Sequence, residues 1–254
     1  MKIYGVVPAR MGSSRFPGKP LHPINNRPMI EHVYKRAQKF PRWDDLCLAT
    51  CDDEIVDFAK KLHIPTVMTS HHHVRCLDRV AEAIEKNILA INEDDIVVCV
   101  QGDEPMLHPE MIHAVIKPIE EQQTVNCTML AMSIQDEAQF TNPDIVKIIH
   151  NLAGDVLYTS RSPVPYCKQF STEIGAKRVS GIFAFRWHFL KTFNQLAESP
   201  LECYESCDSN RIMDHGYKVR IAPYPYQPYF SVDSPQDISL VEKYMTKDSL
   251  WGTY

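Results

Sequence analysis

Arg10, Gly12, Ser13, Arg15 and Lys19 fall within one short stretch, RMGSSRFPGK, directly after the apolar run IYGVVP. Glycine and the serines, Ser14 among them, let a backbone turn several N–H groups toward an anion, and the three cations supply full charges. A triphosphate suits such a loop. Neither GxxxxGK[ST] nor GxGxxG occurs, so it is not a P-loop or a dinucleotide fingerprint. Read alone, the stretch indicates an anion site or a basic surface loop.

Two further segments place an acid where a strand should end. VVCVQGDEP delivers Asp103 and Glu104, and YFSVDSPQD delivers Asp233. A few carboxylate oxygens together with substrate phosphates are the coordination that Mg2+ prefers. Asp103 also reads as a cap for the helix opening near Pro109. With Asp233 as a second strand-end acid, the pair could share one or two Mg2+ ions between a triphosphate and an attacking hydroxyl.

These groups need a scaffold that brings strand ends together. Lys2 to Val7 reads as a strand, and Ile30, Val33 and Ala37 give helical spacing over Met29 to Phe40. DLCLAT, TVMT, DIVVCVQG and NCTMLAM read as further strands, alternating with helices over DDEIVDFAKKLHI, LDRVAEAIEKNI and PEMIHAVIKPI. Strands apolar throughout, set in a βα rhythm, predict a mainly parallel sheet with helices on both faces. Ligands bind such sheets beyond the carboxyl ends of the strands, where the loop and both acids lie. After about residue 140 the rhythm gives way to β-rich pieces, and a last helix starts near Pro235. We expect one domain over 1–254 with a β-rich lobe embedded at about 145–215.

Composition excludes several classes. The 254 residues are 44% hydrophobic, enough for a substantial core, and the net charge of -5 with no Lys/Arg-dense stripe argues against a nucleic-acid partner. No run approaches the length of a membrane span, and no basic, then apolar, then small-residue leader opens the chain, so a cytoplasmic protein off the membrane is expected. Eight cysteines occur without a single CxxC, which disfavours structural zinc and fits reduced thiols. His71, His72 and His73 read as a polar loop.

VVPARMGSSRFPGKPL, PMIEHV, VQGDEP, NPDIVKII, LYTSRSPVPY, SPLECYE and VDSPQD, in this order along nearly the whole chain, resemble the 3-deoxy-manno-octulosonate cytidylyltransferases. The opening loop alone would indicate only a sugar nucleotidyltransferase. The resemblance implies a Rossmann-like nucleotidyltransferase fold, CTP and Mg2+, a homodimer with its interface in the 145–215 lobe, and a role in making activated sugar acids for lipopolysaccharide. Carried over by position, Arg10, Ser13, Arg15 and Lys19 match the triphosphate loop, and Asp103 and Asp233 match Mg2+ ligands. Gln101, Asp78 and Arg79 match positions beside the nucleotide. Arg161 matches an acceptor-side arginine, whose guanidinium can grip a carboxylate, and Glu202, Glu205 and Ser209 fall in acceptor-side stretches.

The departures concern the base loop and the acceptor pocket. Arg75, Cys76 and Leu77 stand where the family carries small and hydroxyl residues, Val179 where it commonly carries histidine, and Ser209 where it carries glutamine. The implied reaction is in-line attack by an acceptor hydroxyl on the α-phosphorus of CTP with loss of pyrophosphate. Lys19 and Arg15 would serve the leaving group, while Asp103 and Asp233 would hold the metal. No general base is evident. Two alternatives remain open: another anionic acceptor such as a phosphonate, and a catalytically silent nucleotide-sensing module.

Overall fold

The computed structural model describes residues 1–254 except 14, 89 and 228–230. In chain order the strands are β1 (Ile3–Pro8), β2 (Pro23–Ile24), β3 (Arg27–Pro28), β4 (Asp45–Thr50), β5 (Thr66–Met68), β6 (Ile96–Val100), β7 (Cys127–Ser133), β8 (Lys147–His150), β9 (Val156–Ser160), β10 (Lys177–Arg186) and β11 (Arg220–Tyr224). The helices are α1 (Met29–Ala37), α2 (Asp53–Lys61), α3 (Cys76–Asn87), α4 (Pro109–Glu121), α5 (Glu137–Thr141), α6 (Trp187–Gln195), α7 (Pro200–Glu205), α8 (Asp208–Asp214) and α9 (Asp237–Met245).

The main sheet runs β11-β7-β10-β6-β1-β4-β5, and β8 and β9 extend it from β10. Along that path β10 alone runs against its neighbours: β1 is parallel to β4 and β6, β4 to β5 and β11 to β7, whereas β10 is antiparallel to β6 and β7. The expected parallel sheet with helices on both faces is therefore present, with one reversed central strand. Alternate residues of each strand feed opposite layers. Val98 and Val100 join one core with α1, α4 and α9, while Val97 and Cys99 join another with α3 and α6.

The 145–215 lobe, expected to be β-rich, carries β8, β9 and all of β10, and also helices α6, α7 and α8. Ser199 and Glu202 form a reciprocal capping box at the start of α7, a signal present in the sequence as S-P-L-E. A small separate cluster of Ile134, Phe140 and Ala176 packs where β7, α5 and β10 meet.

The C-terminus closes one face of the first core. Tyr254 Oη lies 2.8 Å from Nδ1 of buried His32 and accepts from Arg36 Nε at 2.9 Å, while His32 Nε2 lies 2.8 Å from the Ile24 carbonyl. A neutral ring satisfies this arrangement by donating from Nε2 and accepting at Nδ1. Burial lowers the His32 pKa from 6.5 to about 4. The unfolded chain therefore takes up a proton that the folded chain refuses, and stability present above pH 6.5 is lost as the pH falls toward about 4. The melting temperature of the protein should drop across this window more steeply than that of His32→Gln, which cannot titrate; equal slopes in calorimetry would contradict the assignment.

Candidate active site

Two strand ends build the floor. β1 runs out through Ala9 into Arg10 and Met11, and the Met11 carbonyl then accepts from the Ser13 and Gly18 N–H groups, both at 3.0 Å, folding the loop back on itself. Gly18 takes φ +73° to turn into the short helical segment that begins at Lys19, a left-handed conformation that favours glycine. From β6 the chain continues into Gln101, Gly102 and Asp103. A Cβ on Gly102 would lie 2.6 Å from the Pro8 carbonyl, so the two strand ends approach this closely because residue 102 has no side chain.

Asp233 is brought in by a second route. Val232 N–H donates to the Asp103 carbonyl at 2.9 Å, and the Asp233 and Ser234 N–H groups donate to the Asp237 carboxylate at the start of α9. Glu104, drawn from the same VQGDEP stretch, is buried rather than aimed at solvent. It accepts from the Gly181 N–H and the Ser231 hydroxyl, each at 2.9 Å, and so ties β10 and the Asp233 segment to the end of β6.

The cations face the acids. Lys19 Nζ donates to Asp103 Oδ2 at 2.8 Å and to the Val232 carbonyl at 2.7 Å. Arg15 pairs with Asp233 at 2.7 Å and also with Asp144. Burial, and next the negative charge of Asp103, raise the Asp233 pKa above the ordinary carboxylate value. Asp103 and Asp233 thus set two hard oxygen donors on one rim, where a divalent cation would offset the charge that Asp103 places beside Asp233. The residues present fit Mg2+ with substrate phosphates completing its shell.

Two cavities meet over this rim. The first, about 600 Å3, is lined by Arg10, Gly12, Ser13, Lys19, Arg75, Cys76 and Arg79. The second, about 550 Å3, is lined by Arg178, Val179, Ser209, Ser231 and Asp233. Arg15, Gln101, Asp103, Asp144, Arg161 and Asp208 belong to both. The expected nucleotide and acceptor residues thus segregate largely into adjoining spaces, with Asp103, Arg15 and Arg161 at the junction. Ser14, Tyr229 and Phe230, quoted in the sequence motifs, lie outside the described residues.

Several expected site residues are placed elsewhere. Glu202 is fully buried and grips Arg211 with two bonds of 2.7 Å, and Asp78 accepts from the same guanidinium at 3.0 Å; neither lines either of these two cavities. Glu205 does not line one either. Its carboxylate accepts from the Arg161 N–H, Tyr158 and Ser160, each at 2.7 Å, and its carbonyl accepts from Arg161 Nε, so it aims Arg161. Arg79 borders the first cavity but is buried and spends its guanidinium on Thr69, Ser70 and His73, shaping the base loop. Leu77 is core, whereas Arg75 and Cys76 face the cavity.

Asp144 and Lys147, both in NPDIVKII, and Asp208 were not singled out from residue type. Lys147 is fully buried and donates to the carbonyls of Asn142, Ile145 and Arg161 at 2.6 to 2.8 Å, fixing the backbone beneath Arg161. Three acceptors around one ammonium use all its N–H groups. Asp208 opens α8 and accepts from the Cys76 thiol at 3.3 Å, joining the base loop to the second cavity, and burial raises its pKa.

A cytidylyltransferase family model matches residues 4–221. The chain is 40% identical over 238 residues to a 3-deoxy-manno-octulosonate cytidylyltransferase of Oleidesulfovibrio alaskensis, covering 94% of each chain. It is 35% identical over 249 residues to an 8-amino-3,8-dideoxy-manno-octulosonate cytidylyltransferase of Shewanella pealeana, covering 98% of this chain and all of that one. A solved CMP:2-keto-3-deoxy-manno-octonic acid synthetase in complex with CTP superposes with a TM-score of 0.86 at 32% identity, covering 97% of this chain and 99% of that one.

Proposed function

The chain belongs to the 3-deoxy-manno-octulosonate cytidylyltransferases, CTP-dependent nucleotidyltransferases, and we propose that it joins CMP to a 3-deoxy-octulosonate-type acceptor at the junction of its two cavities. The observation that carries this reading is the junction itself: a cation-bearing loop lines one space, Asp233 and Arg178 line the other, and Asp103, Arg15 and Arg161 border both. A triphosphate laid on Arg10, Gly12, Ser13 and Lys19 presents its α-phosphorus toward Asp103. An acceptor whose carboxylate pairs with Arg161 presents a hydroxyl from the opposite side.

In this reading Lys19 and Arg15 exchange their present carboxylate partners for phosphate oxygens as the nucleotide enters. They then hold the pyrophosphate as it leaves, where negative charge builds up. Arg161, fixed through Glu205 and Pro143, orients the acceptor, which replaces a bimolecular encounter by a positioned attack. Asp103 and Asp233 would hold Mg2+, which when bound neutralises phosphate charge and acidifies the attacking hydroxyl. Both acids and all three loop cations are present, which favours an enzyme over a silent nucleotide-sensing module.

We place the protein in the cytoplasm as a homodimer. Eight free cysteines support a reducing compartment, and no helix among the described residues is long and apolar enough to cross a membrane. Leu152, Leu157, Tyr166 and Tyr204, all in the 145–215 lobe, are exposed apolar or aromatic side chains, which supports pairing through that lobe.

A pyrophosphate-release assay with CTP tests the assignment against 3-deoxy-manno-octulosonate, its 8-amino analogue and a phosphonate of similar size. Release that requires CTP, Mg2+ and an octulosonate is expected. Release with the phosphonate alone would overturn the acceptor class, and CTP binding without release for any acceptor would favour the silent module.

A further inference from the structure

Outside the reaction site, Cys51, Asp52 and His71 bring one thiol, one carboxylate and one imidazole together, with their ligand atoms all within 4.8 Å of one another. Cys51 follows β4 and is buried, Asp52 precedes α2, and His71 lies on the loop after β5. We propose that these three residues form a binding site for a zinc-class divalent cation, coupled to the nucleotide loops and separate in chemistry from the Asp103 and Asp233 rim.

The donor set argues for a soft or borderline metal. Thiolate and imidazole select zinc and its neighbours, whereas Mg2+ takes oxygen ligands only. Four-coordinate zinc sites with three protein ligands leave one position for solvent, which suits a cluster whose third member, His71, is exposed. His71 makes no hydrogen bond among the described residues, so its ring is free to turn onto a cation. The Cys51 Sγ lies 3.6 Å from Asp52 Oδ2, and a metal bound by both would take the place of the thiol proton. Absence of CxxC disfavours the usual structural zinc patterns but does not address this arrangement, because its ligands follow the ends of β4 and β5.

The coupling follows from what the same residues hold. Asp52 Oδ2 also accepts from the Met11 N–H at 2.8 Å, one residue before Gly12 of the triphosphate loop. His71 opens the segment whose later members, His73, Val74, Arg75 and Cys76, line the nucleotide cavity. A cation drawing Asp52 and His71 together therefore competes for the Met11 contact and shifts the base loop, and CTP should bind more weakly when the site is filled.

Cobalt(II) is the probe. Added to the intact protein, it should produce a thiolate-to-cobalt charge-transfer band and visible d–d bands that Zn2+ abolishes. Cys51→Ser should lose the charge-transfer band, and His71→Ala should weaken cobalt binding by at least about tenfold. Both variants, tested with Mg2+ alone, should keep their pyrophosphate-release activity, which shows that they fold. A spectrum with no thiolate band, or one that survives in Cys51→Ser and so belongs to another thiol such as exposed Cys203, overturns the site. CTP affinity unchanged between cobalt-loaded and metal-free protein overturns the coupling.

Discussion

Asp103→Asn should lower the rate of pyrophosphate release at saturating CTP and acceptor by about 100-fold or more, the scale of losing one electrostatic element of a preorganised site. The substitution keeps the shape of the side chain and removes its charge where both cavities meet. Two consequences are separable. The fold should persist, because the backbone carbonyl of residue 103, not its carboxylate, bonds Val232. Triphosphate binding should also persist, because Lys19 loses its carboxylate partner and is released toward phosphate. Turnover should fall while the thermal shift caused by CTP is retained. A variant that turns over normally would remove Asp103 from the metal-holding set, and one that has lost CTP binding would make it a nucleotide contact instead. Asp233→Asn should behave alike, with a weaker Arg15 tether as an additional effect.

The place of Asp103 beyond β6 was legible in the sequence for a physical reason, whereas Asp233, expected at a strand end, follows Ser231 and Val232, which belong to no strand. An open α/β sheet concentrates polar groups beyond its strand ends, so an acid or a basic loop immediately after an apolar run has few other places to go. The direction of β10 was not legible. A central strand covered on both faces is apolar throughout whether it runs with or against its neighbours, and KRVSGIFAFR gives no sign of its reversal. That reversal brings Gly181 against Glu104, where a Cβ would lie 2.4 Å from the carboxylate, and it carries Arg178 and Val179 to the second cavity.

Residue type alone also fails to separate a group that touches ligand from one that aims such a group. Glu202, Glu205, Arg79 and Asp78 were assigned to binding by position in a resembling motif, yet their charges are spent inside the protein. Glu205 and Lys147 together fix Arg161 from its side chain and from its backbone. The capping box at Ser199 and Glu202 was the available signal that Glu202 looks inward, since a carboxylate that reaches back to a helix start is committed to it.

The commitment of Glu202 sets the second large effect. Arg211 is almost wholly buried; its Nε and Nη2 donate to Glu202 and its Nη1 to Asp78, with the guanidinium 4.5 Å from the Phe193 ring. Its acids hold the charged form so firmly that its pKa lies above the ordinary arginine value despite burial. Glu202→Ala removes the fully desolvated partner and leaves a buried cation with only the partly exposed Asp78 contact, at a cost of about 3–5 kcal/mol. For a chain of this length that is a fall in melting temperature of roughly 10 °C. Asp78→Ala, acting at the wetter side of the guanidinium, should cost far less. Below the melting transition, Glu202→Ala should bind acceptor with little change in KM, because the carboxylate lines neither cavity. Had Glu202 been an acceptor contact, the pattern would invert: KM would rise and the melting temperature would hold. Measuring both in one variant therefore decides whether α7 supports the pocket from behind or belongs to its wall.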